Sequence, residues 1–157
     1  MLLSLFLLSS CSIFFGGKDA PKTAKGSLYT IHFSESGWVP LKEKSSDYVF
    51  ENSNDGRIML SNSFCNEFQE QPLDTLAKKT FNNVKNFKIL VNKYTTFQDR
   101  EAFHLEGIGQ VDGVVVGVRL LNTRRDNCYF DFVAITPEKT KDQHSAFVPF
   151  LKTVVFR

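Results

Sequence analysis

Along most of the chain after residue 27, apolar and polar residues alternate with the period of two that is typical of β-strands covered on one face. Such runs lie at residues 28–33, 47–51, 57–64, 87–97, 102–110, 113–122 and 127–136. Two pairs of runs are separated by an Asp-Gly step, at Asp55-Gly56 and at Asp112-Gly113. Because Asp-Gly accepts positive φ, both pairs are predicted to form hairpins. Residues 37–40 (Gly-Trp-Val-Pro) are predicted to be a break after the first strand.

Two segments change to helical spacing. After Pro72, which suits the first turn of a helix, apolar residues recur on one face at Leu73, Leu76, Ala77, Phe81 and Val84. A second stripe predicts a C-terminal helix through Phe147, Phe150, Leu151 and Val154, with Pro149 tolerated only in its first turn. The run 127–136 is apolar on both faces, which predicts a central strand covered on both sides. The order of elements predicts an α+β fold, an antiparallel β-sheet packed with two helices.

The N-terminal ten residues, MLLSLFLLSS, contain no charge and are too short to span a membrane, which needs about 20 residues. They end in Leu8-Ser9-Ser10-Cys11, which resembles the bacterial lipobox. The resemblance implies that Cys11 carries a lipid and that the chain is cut before it. A buried strand or helix with an incidental cysteine fits less well, because a tether rich in Gly, Pro, Lys and Ser follows.

The chain is therefore divided into a signal peptide (1–10), a lipid-anchored tether (11–27) and one domain (28–157). The residue after Cys11 is Ser12 rather than Asp, which under the enterobacterial sorting rule favours the periplasmic face of the outer membrane. A signal peptide normally opens with basic residues, and none precedes Lys18, so we expect the true start to lie upstream of Met1.

The amino-acid composition narrows the range of functions that the domain could have. Hydrophobic residues make up 42% of the 157 residues, which is enough for a core, and the net charge of +2 is too small to indicate a nucleic-acid partner. The 16 phenylalanines indicate either an aromatic core or an aromatic ligand pocket, and we favour the core. With Cys11 lipidated, Cys65 and Cys128 remain as an even pair in a compartment that permits disulfides. We predict that they are joined, the alternative being two unpaired thiols.

The candidate catalytic groups are sparse. His32, His104 and His144 lie in different elements, no G-x-S-x-G motif is present, and no histidine or second cysteine lies at metal-ligand spacing from Cys65 or Cys128. His104 and Glu106 share one strand face, as an acid–base pair or as a solvated surface, and we favour the surface. We therefore expect no catalytic residue, metal or cofactor.

Asp131 stands between aromatic residues on the covered strand. We expect it to form an ion pair with Arg119 on a neighbouring strand, the alternative being a single polar anchor in an apolar pocket. Gly107-Ile108-Gly109 is not expected to bind phosphate, because it precedes a hairpin rather than a helix.

Several strings resemble the PsbP-like family: Ser36-Gly37-Trp38, the hairpin of residues 47–50 and 58–60, the helix starting at Pro72, the strings at 100–103 and 128–132, and the terminal FLKTVVF. The resemblance covers residues 28–157 and implies an α/β/α sandwich in a non-catalytic accessory or binding protein. Our first hypothesis is an accessory or assembly lipoprotein that binds another envelope protein. The second is a carrier or sensor for a small apolar ligand, and an enzyme comes third.

Overall fold

The computed structural model describes residues 28–65, 71–138 and 146–157. The lipobox with Cys11, the tether and His144 lie outside these ranges, so the predictions made for them stay predictions. In chain order, the described elements are β1 Tyr29–Ile31, β2 Trp38–Leu41, β3 Tyr48–Asn52, β4 Ile58–Cys65, α1 Leu73–Thr80, β5 Lys85–Phe97, β6 Arg100–Val111, β7 Val114–Arg125, β8 Cys128–Pro137, α2 Phe147–Lys152 and β9 Val154–Phe156.

A seven-stranded antiparallel sheet forms the body, in the order β2-β3-β4-β8-β7-β6-β5, and β1 pairs separately with β9. The two Asp-Gly hairpins are confirmed as β3–β4 and β6–β7, and Asp112 and Gly113 both have positive φ (50° and 80°). β8 lies between β4 and β7 and is buried from Cys128 to Thr136, which confirms the prediction of a strand covered on both sides.

α1 covers one face of the sheet. Leu73, Leu76 and Ala77 are buried there, and the core on this face continues into β6, β7 and β8 through residues such as Leu105 and Leu120. Asp74 in the first turn and Lys78 in the last turn complement the helix dipole, and their side chains form an i,i+4 ion pair of 3.0 Å. Phe81 and Val84 extend the buried stripe beyond the end of the helix.

α2 and the β1–β9 pair cover the other face. Tyr29, Phe130, Phe132 and Phe150 are almost fully buried in this second core, and their rings meet mostly edge to face. Pro149 occupies the third residue of α2, in the first turn as predicted, where no helical hydrogen bond is lost. The abundant phenylalanines in the described chain thus serve mainly as core.

Two short strands correct the prediction. Residues 38–41 are not a break but strand β2, which tolerates Pro40 because β2 is the edge of the sheet. Val154 is not part of the C-terminal helix but begins β9, which is held by pairing with β1. The helices are also shorter than predicted, with eight residues in α1 and six in α2, so the fold is dominated by its sheet rather than being an even sandwich.

None of the helices in residues 28–65, 71–138 and 146–157 has the length and apolar character needed to cross a bilayer.

Candidate functional site

Cys65 and Cys128 face each other where β4 ends and β8 begins. They are register partners, and a disulfide with a Cα–Cα distance of 4.0 Å joins them, which confirms the predicted pair. The bond lies at the same end of the sheet as the β5–β6 and β7–β8 turns. Its position at a strand end and its burial at Cys128 mark it as structural.

A buried polar cluster lies between α1 and the sheet. Asn122 Nδ2 donates to the Leu73 carbonyl (2.9 Å) and to the Tyr129 hydroxyl (2.6 Å). The hydroxyls of Tyr129 and Thr80 in turn hydrogen-bond to the carboxyl group of Asp131, with Thr80 Oγ1 3.2 Å from Asp131 Oδ2. Asp131 is 1% exposed, and its Oδ1 atom has no hydrogen-bond partner among the described residues.

Burial raises the pKa of Asp131 to about 7, despite the hydrogen bonds from Tyr129 and Thr80, which lower it. The geometry around Thr80 agrees with a protonated acid. Thr80 Oγ1 has one proton but lies 3.2 Å from two acceptors, the Leu76 carbonyl and Asp131 Oδ2. If Asp131 is protonated, it donates to Thr80, which then donates to Leu76, so both contacts are satisfied.

The predicted Asp131–Arg119 pair is wrong. Arg119 is the register partner of Ala134, whereas Asp131 is the partner of Asn122, so the two side chains lie on opposite faces of the sheet. Arg119 instead places Nε 2.8 Å from Glu106 Oε1, and its guanidinium lies over the ring of Phe147. The sequence pattern could not predict that Arg119 and Asp131 lie on opposite faces, because the relative faces of two residues on neighbouring strands depend on the β7–β8 register.

His104 and Glu106 meet on their shared strand face, with His104 Nε2 2.8 Å from Glu106 Oε1, but their side chains are only 20% and 14% exposed, so the solvated surface that we favoured is wrong. Desolvation lowers the pKa of His104, opposed by the nearby Glu106 carboxylate. Glu106 therefore contacts both His104 and Arg119, and its carboxylate serves as a structural counter-ion to Arg119. His32 lies elsewhere, exposed next to β1.

A second buried cluster was not anticipated from the sequence. Tyr29 donates from its hydroxyl to Asp47 Oδ2 (2.9 Å), Ser61 Oγ lies 2.8 Å from the same hydroxyl, and Ser63 Oγ donates to Asp47 Oδ2 (2.6 Å). Tyr29 and Asp47 are both completely buried, and burial raises the pKa of Tyr29 far above its usual value. The cluster ties β1 to β4 through side chains, since β1 does not belong to the main sheet.

One shallow depression, with a volume of about 410 Å³, lies between the β5–β6 turn and α2. It is open to solvent, and it is lined by Phe97, Gln98, Val148, Leu151 and Lys152. Within the described ranges, no group of three or more His, Cys, Asp or Glu residues is placed to hold a metal ion.

No family model and no curated protein sequence matches this chain. Solved structures do. LpqN, described as involved in cell envelope biogenesis of Mycobacterium tuberculosis, has a TM-score of 0.65 at 12% identity over 85% of this chain and 86% of that one. A Pseudomonas aeruginosa protein of unknown function, described as a putative regulator, scores 0.57 at 14% identity over 83% and 96%.

The cyanobacterial PsbP of Synechocystis has a TM-score of 0.54 at 13% identity, over 82% of this chain and 86% of that one. At these identities the likeness concerns the fold. The chain therefore has a PsbP-like fold, as its short sequence motifs and the order of its elements predicted.

Proposed function

We propose that this chain is a lipid-anchored, non-catalytic lipoprotein that acts as an accessory or assembly factor and binds another protein of the bacterial envelope. The observation that carries the proposal is the order along the chain: a segment at Leu8–Cys11 that resembles a lipobox, a stretch rich in Gly, Pro, Lys and Ser, and then a domain with a PsbP-like fold. The description of LpqN as an envelope-biogenesis protein supports the same setting. Ser12 after the cysteine favours the periplasmic face of the outer membrane.

The polar groups of the domain support a non-catalytic role. Asp131 is enclosed under α1, and Glu106 is engaged by both His104 and Arg119, so neither presents a free acid or base to a substrate. Alanine at His104 is expected to leave the cellular function intact, provided that the variant accumulates to normal levels. A loss of function in a stably folded variant would favour the enzyme hypothesis.

The alternative is a carrier or sensor of a small apolar ligand. Such sites usually enclose most of the ligand surface. The depression beside α2 is apolar but open, so it supports this alternative less well than an enclosed cavity would. A carrier purified from envelopes would bring an apolar small molecule that native mass spectrometry detects.

The decisive experiment is affinity purification of the full chain from crosslinked envelopes, with Cys11→Ala as the matched control. A partner protein enriched with the native chain, and depleted when the anchor is removed, is the expected result. Processing is followed in the same cells with globomycin, which blocks the lipoprotein signal peptidase. Precursor should accumulate with the drug and with Cys11→Ala, and unchanged processing would refute the lipid anchor.

A further inference from the structure

The two edges of the main sheet differ in what they offer a neighbouring chain. β2, at one edge, has four residues and contains Pro40, which has no N–H to donate. β5, at the other edge, has 13 residues without proline, and no described strand pairs with its outer side. Long unpaired edges are templates for β-pairing, so proteins usually protect them.

Only the first half of β5 has an irregular backbone that would hinder pairing with another strand. Register shifts interrupt its pairing with β6 between Lys85 and Lys88 and again between Ile89 and Val91. From Val91 to Phe97 every residue pairs in unbroken register with β6. These seven residues, called here the open edge, have the regular backbone that an added strand requires.

The side chains of β5 define what could pair with it. Three apolar residues are well exposed for their type, with relative exposures of 40% at Ile89, 54% at Leu90 and 51% at Tyr94. Tyr94 lies on the α1 face, where its hydroxyl donates to Asp74. A strand added along the open edge could therefore bury apolar side chains against Tyr94, while Ile89 and Leu90 lie just before that edge.

The charge on β5 is of one sign. Lys85, Lys88 and Lys93 lie on it with no acidic residue, and none of the three forms an ion pair within the described chain. Across the register from Lys93 is His104, which offers no negative charge. Directly opposed like charges destabilise a strand pair, whereas opposite charges stabilise it. Lys93 lies in the open edge and Lys85 and Lys88 lie before it, so a second copy of β5 would add like charge along this strand, whereas an acidic segment would neutralise it.

We propose that β5 is the partner-binding element of this domain, and that it accepts an acidic, extended segment of another protein as an eighth strand along Val91–Phe97. This inference rests on the proposed protein-binding function and names its partner by chemistry. Main-chain hydrogen bonds to the open edge would supply affinity, and alternating acidic and apolar side chains would supply specificity against Lys93 and Tyr94.

The test uses the purified full chain and a labelled peptide of alternating Glu and Val, blocked at both ends. Fluorescence anisotropy should show saturable binding, and hydrogen exchange should slow at amides of Val91–Phe97. The same peptide with alternate backbone nitrogens methylated keeps its charge but cannot complete a ladder, and it should not bind. Absence of binding, or equal binding of the methylated peptide, overturns the proposal.

Two charge-reversal variants locate the contact. Lys93→Glu should weaken binding about tenfold, since it turns an attractive cross-strand pair into a repulsive one. Lys44→Glu changes the net charge equally but lies in the exposed loop between β2 and β3, near the other edge, and should leave affinity unchanged. Equal effects of both variants would reveal unspecific charge attraction and refute the proposal.

Self-association is the rival outcome. If sedimentation shows a dimer that the peptide does not dissociate, and hydrogen exchange shows protection of Val91–Phe97 in that dimer, β5 pairs with its own copy and the proposal is wrong. If crosslinking in envelopes identifies a partner whose contact maps away from β5, the open edge is refuted as the binding element while the proposed accessory function stands.

Discussion

Thr80 and Asp131 join the last turn of α1 to the central strand β8 through side-chain oxygens 3.2 Å apart. Because of this contact, the packing of α1 against the sheet depends on the protonation state of Asp131, whose buried carboxyl group is more stable neutral than charged.

Stability should therefore fall as pH rises. The pKa of Asp131 is 3.8 in the unfolded chain and about 7 in the folded one, so between these values the folded state binds more protons. The contribution of Asp131 is complete below pH 3.8, is lost progressively up to about pH 7, and is on the order of 4 kcal/mol at about 1.36 kcal/mol per pH unit.

Asp131→Asn should remove this dependence, because an amide imitates the neutral acid. Urea unfolding of both proteins at pH 5 and pH 8 checks the prediction. The native chain should lose stability between the two values and the variant should lose much less. A native chain that is more stable at pH 8, with the same slope in the variant, would contradict a protonated Asp131.

Replacing Cys65 and Cys128 together by serine should lower the free energy of unfolding by about 4 kcal/mol. The bond closes a loop with a sequence separation of 63, and the unfolded chain gains that much conformational freedom without it. Reducing agent should destabilise the native chain by a similar amount and leave the double variant unchanged. An equal response of both proteins to the reductant would show that the bond is not formed in solution.

Tyr29→Phe should cost about 1–3 kcal/mol, because it leaves buried Asp47 without its tyrosine donor. Tyr48→Phe is the matched control. Its hydroxyl donates to the Tyr29 carbonyl at 3.2 Å from a partly exposed position, so its removal should cost less than about 1 kcal/mol. Chemical denaturation of both variants measures the difference, and equal losses would contradict the cluster as described.

Gly107→Ala should destabilise the fold by about 1–3 kcal/mol through overpacking. A Cβ atom at Gly107 would lie 2.6 Å from Phe87 Cε2 and 2.7 Å from the Lys88 carbonyl oxygen, so β5 would have to move. Adding Phe87→Ala removes the ring from this contact. The loss in the double variant should then be smaller than the sum of the two single losses. Additive losses would show that the ring does not restrict this position.

The main sheet could be predicted from the sequence because its signals are local. Alternation with period two identifies the long strands, and Asp-Gly marks two of the turns between them. β9 has no such signal, since its three residues are fixed by pairing with β1 at the other end of the domain. β2 was hidden by Pro40, which only the edge position makes acceptable.

The polar clusters depended on register. Glu106 and His104 are two residues apart on one strand, so their meeting could be predicted. The partners of Asp131 could not, because a shift of one residue between β7 and β8 would place Leu121 or Thr123 opposite Asp131 instead of Asn122, and would bring Arg119 onto its face of the sheet. Asp47 stands before a strand like many surface aspartates, and only the fold places it beside Tyr29.

The β1–β9 pair has a mechanical consequence. The described chain begins at Leu28, whose carbonyl accepts a hydrogen bond from the Arg157 amide, so any pull on the preceding segment reaches the domain through three strand residues and the side chain of Tyr29. Force would load the β1–β9 hydrogen bonds and the Tyr29–Asp47 contact before it reached the disulfide between β4 and β8. A pull on the chain before Leu28 should thus release β1 as a short extension while the seven-stranded sheet stays intact.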